Sequence, residues 1–155
     1  MKILMVCLGN ICRSPIAEGI MRYKIQEQKL NWEVSSCGTS NWHAGEAPHA
    51  GACRIMQKKK MDISHQRAKT FHYSFFEHYD LIYTMDASNY RDVIALAENA
   101  EERQKVDMIM NTVEPGRNIP VPDPYYDERI YPVVFEMLEK ACSKIIETYK
   151  SQEIK

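Results

Sequence analysis

Apolar residues along this chain fall into two patterns: short unbroken runs, and longer stretches with one apolar residue every three or four positions. "KILMV" at residues 2–6 reads as a strand covered on both faces, and "SPIAEGIMRYKIQEQ" at 14–28 as the helix after it. "WEVSSC" at 32–37 predicts a second strand, followed by the loop "CGTSNWHAGEAP". A helix through "HAGACRIMQKKK", a shorter helical piece over "FHYSFFEH" and a strand at "DLIYTM" come next. "DASNYRDVIALA" opens with Asp86 as an N-cap and sets Tyr90, Val93, Ile94 and Ala97 on one helical face. "VDMIM" at 106–110 is the fourth strand. The last helix keeps Tyr131, Val134, Phe135, Leu138, Cys142, Ile145, Ile146 and Tyr149 in helical register, so Cys142 belongs to its buried stripe.

Strands alternating with helices predict an α/β protein, a parallel sheet with helices on both faces. Such sheets bind ligands beyond the carboxyl ends of their strands. Repeats, low-complexity tracts and linkers are absent, so residues 1–155 read as a single domain.

Composition narrows the function classes. Apolar residues make up 45% and charged residues 26%, with a net charge of −1. That balance offers no general attraction to nucleic acid or membrane. The one basic run, Lys58–Lys60, stands where a helix should end and reads as solvated surface. "MKILMV" is too short for a signal peptide, and no stretch approaches the ~18 apolar residues of a membrane span. Five irregularly spaced cysteines do not form a secreted disulfide framework. A reducing, cytoplasmic location is expected, with Cys7 free as a thiol.

The segment "VCLGNICRSP", residues 6–15, concentrates the candidate chemistry. Cys7 ends the first strand, Gly9 and Asn10 tolerate left-handed backbone angles, and Ser14-Pro15 reads as cap then proline at a helix start. Such a loop can turn successive backbone N–H groups towards one point above the helix N-terminus, making an anion cradle. Arg13 adds a planar fork for two phosphoryl oxygens. The same donors would favour a Cys7 thiolate, and Ser14 adds a hydrogen bond to the sulfur. At pH 7 an ordinary cysteine is about 3% ionised, whereas one lowered to pKa ~5 is almost fully so. Zinc-knuckle spacing and the Walker signature are both absent, which leaves a nucleophile or a structural thiol.

If Cys7 attacks a phosphate ester of a phenol, the leaving oxyanion needs a proton donor on the opposite side. "VPDPYYDE" offers Asp123, restrained between Pro122 and Pro124. A plain turn is the other reading of that segment. Asp127 and Glu128 are rival acids, both better placed as the acidic start of the last helix.

Together, "VCLGNICRSP" near one end, "DPYY" near the other and "MDASN" between them resemble the low-molecular-weight protein tyrosine phosphatases. The resemblance spans nearly the whole chain. It implies a three-layer α/β/α fold with a four-stranded parallel sheet in the order 2-1-3-4 and the phosphate loop after strand one. It implies Cys7 as nucleophile, Arg13 as phosphate clamp and Asp123 as general acid, then general base. Leu8, Gly9, Asn10, Ile11, Cys12, Arg13 and Ser14 become the phosphate-binding loop. The matches "VSSCGTSNW" and "ISHQRAK" carry to Ser36 and His65 the family role of holding the loop asparagine. Leu8, Ile11, Trp42, Tyr125 and Tyr126 become the walls of an aromatic cleft. Neither metal nor cofactor is implied; the partners are phosphotyrosine proteins or small aryl phosphates, with inorganic phosphate as product and competing ligand.

Related folds supply the alternatives. Arginine phosphatases carry a small hydroxyl residue where Ile11 stands, and Ile11 should crowd a guanidinium. Arsenate reductases relay electrons through further cysteines, yet residues 75–110 hold none. A non-catalytic phosphate-binding module would have lost the nucleophile, the arginine or the acid. Cys12, on the same loop as Cys7, is a candidate to trap an oxidised Cys7 as a disulfide. Cys37 and Cys53 read as ordinary thiols.

Overall fold

A computed structural model describes residues 1–153. The strands are β1 (Lys2–Cys7), β2 (Glu33–Gly38), β3 (Leu81–Thr84) and β4 (Val106–Met108). The helices are α1 (Arg13–Glu27), α2 (Ala50–Lys58), α3 (Phe75–His78), α4 (Ala87–Leu96), α5 (Ala100–Gln104) and α6 (Tyr131–Glu153). The four strands form one parallel sheet in the order β2-β1-β3-β4.

β1 shows why the run "KILMV" lacks polar alternation. Successive side chains of a strand point to opposite faces, and both faces here are covered. Ile3 and Met5 pack with Ile16, Ile20 and Met21 of α1 and Val134 and Leu138 of α6. Leu4 and Val6 pack on the other side with Phe76 of α3, Ile82 of β3 and Val93 of α4. The stripe of α6 lies in the first of these layers, with Cys142 fully buried. Register then aligns the strand ends: Cys7 pairs with Gly38, Val6 with Thr84, and Thr84 with Met108. The carboxyl edge of the sheet is therefore level, with Cys7 at its centre.

Several boundaries differ from the sequence reading. α1 starts at Arg13 with Cys12 at the N-cap, so Ser14 is not the cap but lies inside the first turn. Pro15 is accepted there because the first N–H groups of a helix have no intrahelical partner. The helical piece expected over 71–78 shrinks to α3: Phe71 still pairs with the end of β2, its N–H donating to the Gly38 carbonyl at 2.7 Å, and residues 73–74 form a turn before the helix starts. β4 stops at Met108 and residues Ile109–Thr112 turn into a 3-10 helix. Beyond Thr84 no strand continues to pair with it, since the Met85 carbonyl instead accepts from the Val121 N–H. α5, capped by Asn99, was not foreseen; it has no buried residue and therefore no apolar stripe to read.

Candidate active site

Cys7 leaves β1 with its side chain turned into the loop that joins β1 to α1, and only 2% of it is exposed. Its Sγ lies 3.0 Å from Ser14 Oγ and accepts from the Asn10 N–H at 3.3 Å. Asn10 holds the bend with φ of +57°, the left-handed conformation that asparagine tolerates better than most residues. Its amide is fully used: Nδ2 donates to Ser14 Oγ and Ser36 Oγ at 2.8 and 2.9 Å, and Oδ1 accepts from the Lys69 N–H at 3.0 Å. Ser36 passes its own proton to Glu18 Oε1 at 2.8 Å, and Glu18 pairs with Arg22 at 2.7 Å. Ser14 Oγ, which accepts from Asn10, has the Cys7 sulfur at 3.0 Å and the Cys37 carbonyl at 3.4 Å as partners for its one proton.

His65 does not hold Asn10. It is exposed on the loop after Asp62, and the donor it was expected to supply is the backbone N–H of Lys69. Ile63 and Ala68 of that segment are core, and Gln66 also turns inward, its Nε2 donating to the Pro15 carbonyl at 3.2 Å.

The rest of the loop is built from unspent donors. Among the described residues, none of the N–H groups of Leu8, Gly9, Ile11, Cys12, Arg13 or Ser14 donates to a protein acceptor. Buried N–H groups without partners are rare. An oxyanion placed among these would accept from several at once.

Arg13 is 3% exposed and rigidly held. Its Nη1 donates to Asp86 Oδ2 at 2.7 Å and to the Val121 carbonyl at 3.0 Å, while Nη2 lies 3.7 Å from Asp123 Oδ2. With Nη1 committed, the opposite edge of the fork is the one offered to a ligand. Burial works against the Arg13 charge, but Cys7, Asp86 and Asp123 outweigh it and hold its pKa above the ordinary value. Asp86 also caps α4, taking the Asn89 N–H on Oδ1 at 2.9 Å. Burial pushes its carboxyl up, yet Arg13 and the Asn89 N–H together keep it below the usual range. Asp86 was anticipated as a cap; its grip on Arg13 was not.

Above the loop opens a cleft of about 160 Å³, near the ~150 Å³ of a cavity that admits a benzene ring. Cys7 and Arg13 line it together with Leu8, Ile11, Trp42, Tyr125 and Tyr126, so the expected wall residues all meet there. Asp123 stands at its side, with Oδ1 accepting the Tyr125 N–H at 3.1 Å. Trp42 and Tyr126 are 75% and 95% exposed, which makes them flanks of the entrance rather than packed walls. Asp127 accepts from the Arg129 N–H in the turn before α6, and Glu128 pairs with Arg54, so both rival acids are engaged elsewhere.

His43 was missed. It lines the cleft, its Nδ1 lies 2.6 Å from Glu46 Oε2, and its ring covers Gly9. A Cβ at Gly9 would come within 3.0 Å of His43 Cδ2. The i, i+3 spacing of His43 and Glu46 was its only trace in the sequence. Tyr131, expected as core, also donates its hydroxyl to Cys12 Sγ at 3.2 Å. Burial pushes the Cys12 thiol up to about 12 despite that hydrogen bond, so any disulfide-forming role would begin from a neutral thiol. All five cysteines are free thiols. Among the described residues, no group of three or more His, Cys, Asp or Glu is placed to hold a metal ion, and no helix is long and apolar enough to cross a membrane.

Comparison with known proteins bears on the whole chain. A family profile described as low molecular weight phosphotyrosine protein phosphatase matches residues 2–155. The low-molecular-weight protein-tyrosine-phosphatase PtpA of Staphylococcus epidermidis is 36% identical over 143 residues, covering 92% of this chain and 89% of its own. The Gallus gallus low-molecular-weight phosphotyrosine protein phosphatase is 30% identical over 149 residues, with 94% of each chain covered. Among solved structures, the protein tyrosine phosphatase of Entamoeba histolytica, with Hepes in its active site, superposes with a TM-score of 0.91 at 30% identity and 99% coverage of both chains. The chain belongs to the low-molecular-weight phosphotyrosine protein phosphatases, a family of enzymes.

Proposed function

We propose that the chain hydrolyses aryl phosphate monoesters, phosphotyrosine above all, through a phosphocysteine on Cys7. The observation that carries this reading is that the loop holding Cys7 leaves six of its N–H groups without a protein acceptor among the described residues, while Cys7 and Arg13 line the same cleft. In the first displacement the Cys7 thiolate attacks phosphorus as the phenolic oxygen leaves. Loop N–H groups and Arg13 hold the equatorial oxygens, and Asp123 gives its proton to the phenol. In the second, Asp123 takes a proton from water as the water oxygen attacks the phosphocysteine. Inorganic phosphate leaves and the thiolate returns. Positioning and charge stabilisation supply the catalysis, as is general for phosphoryl transfer.

The surroundings support these roles. A sulfur anion would keep two donors, the Asn10 N–H and the Ser14 hydroxyl. Asp123 has a side chain 48% exposed, open to water as a group that cycles its proton must be. Ile11, 7% exposed and lining the cleft, takes up the room a guanidinium would need and favours an aryl ring over phosphoarginine. Phosphoproteins or small aryl phosphates are the substrates, and a compartment that keeps thiols reduced, such as the cytoplasm, suits the chain.

A turnover panel of phosphotyrosine peptides, phosphoserine peptides, phosphoarginine and arsenate, run with a metal chelator, tests the reading. Phosphotyrosine should dominate and the chelator should have no effect. Exclusive phosphoarginine hydrolysis would overturn it. Cys7→Ser should lower turnover at least ~10³-fold while keeping oxyanion binding; full residual turnover would reject the thiolate.

A further inference from the structure

Where α2 and α6 reach the phosphate loop, Tyr131 and His49 form a pair behind two of its residues. The Tyr131 hydroxyl donates to Cys12 Sγ at 3.2 Å and lies 2.8 Å from His49 Nδ1. The two rings stack at 14° with centroids 6.2 Å apart. The His49 ring also leans on Tyr125, with centroids 5.1 Å apart, and the His49 backbone N–H donates to the Ile11 carbonyl at 2.8 Å. The seat for the tyrosine is specific. At Gly51, in the first turn of α2, a Cβ would fall 2.4 Å from Tyr131 Cε2, so this ring fits only over a glycine.

The contacts bear on the orientation of one peptide group. A trans peptide is planar, and its C=O and N–H point in opposite directions. With the Ile11 oxygen fixed on His49, the N-cap of α2, the Cys12 N–H is turned away from that helix, and among the described residues it has no protein acceptor. The next side chain, Cys12, is fixed by Tyr131. Backbone and side chain on either side of one cradle donor are thus tied to a single hydrogen-bonded pair, in which one tyrosine proton serves the sulfur and the tyrosine oxygen accepts from His49.

We propose that Tyr131 and His49 are positioning residues of the phosphate loop, aiming the Cys12 N–H at the phosphoryl oxygens by holding the Ile11–Cys12 peptide from the N-cap of α2 and the first residue of α6. This rests on the reading of the loop as a phosphate cradle. A donor that binds the phosphoryl group alike in ground and transition states changes KM and product inhibition more than kcat. General loosening of the fold would instead reduce the active fraction, lowering apparent kcat with binding constants unchanged.

Tyr131→Phe keeps the ring over Gly51 and deletes only the hydroxyl. In the full-length chain it should raise KM for an aryl phosphate and the inhibition constant of inorganic phosphate about three- to tenfold, the scale of one modest hydrogen bond, with kcat within about twofold. His49→Ala should shift both constants the same way. His49→Asn, which offers an amide group near the position of Nδ1, should recover most of the loss. Unchanged binding constants in Tyr131→Phe, or a fall in kcat alone, would overturn the proposal. Should Tyr131→Phe not fold, the His49 pair decides it: equal constants in the Ala and Asn variants overturn it, recovery in Asn upholds it. A wild type that neither hydrolyses aryl phosphates nor is inhibited by phosphate would instead refute the underlying function.

Discussion

The phosphate loop and the acid loop face each other across one cleft, and they are built in opposite ways. From Cys7 to Ser14 the side-chain polar groups are enclosed and paired: Asn10 to two hydroxyls and a peptide N–H, Arg13 to Asp86 and the Val121 carbonyl. From Pro122 to Tyr126 the chain is restrained by prolines, and Asp123 and Tyr126 stand largely in water. The difference matches the roles proposed for the two loops. Stabilising a doubly charged phosphoryl group demands dipoles fixed in advance, whereas a group that gives a proton in one step and takes one from water in the next must stand open to water.

Mutations should separate the two. Arg13→Ala removes a clamp at the fixed end, and turnover should fall about 10³–10⁵-fold with loss of phosphate affinity; steady-state kinetics and phosphate inhibition measure both. Asp123→Asn should cost about 10²–10⁴-fold on substrates with poor leaving groups and far less on good ones, with an unchanged melting temperature. An equal loss on both classes would end its assignment as the acid. Asn10→Gly and Asn10→Ala divide the loop itself. Both lose the side-chain network, but only Ala must also bear the positive φ at a cost of about 1–3 kcal/mol, so denaturant unfolding should rank Ala below Gly.

Acid titration probes the brace behind Arg13. The Asp86 carboxyl is held below its ordinary value. Its stabilising contribution is therefore complete above the unfolded carboxyl pKa of ~3.9, and is lost as pH falls through the lower folded value. Asp86→Asn should flatten that part of an acid-unfolding curve. The smallest effect belongs to the open side: Tyr126→Ala should change stability by less than about 0.5 kcal/mol, its consequence confined to substrate KM.

What could be read without coordinates was what is local. The run in β1, the stripe of α6 and the "VCLGNICRSP" loop each carry their pattern within one element, so the α/β class and the candidate loop were visible, while the strand order came from the family resemblance. Pairings between distant residues were not. Arg13 meets Asp86 across 73 positions and Tyr131 meets Cys12 across 119, and neither residue's neighbours in sequence announce the partner. His65 failed for the converse reason: a backbone N–H, which every residue but proline owns, already satisfied the asparagine oxygen. Glu18, buried at 6% exposure and closing the Ser36 network, looks in sequence like any helical glutamate.

The two oxygens of Asp86 have separate clients, one a helix end and the other the guanidinium beneath the cleft. A lineage under pressure to stiffen or soften α4 cannot adjust that cap without also disturbing the hold on Arg13. The anchoring of a helix and the setting of a buried guanidinium are here answerable to a single carboxylate.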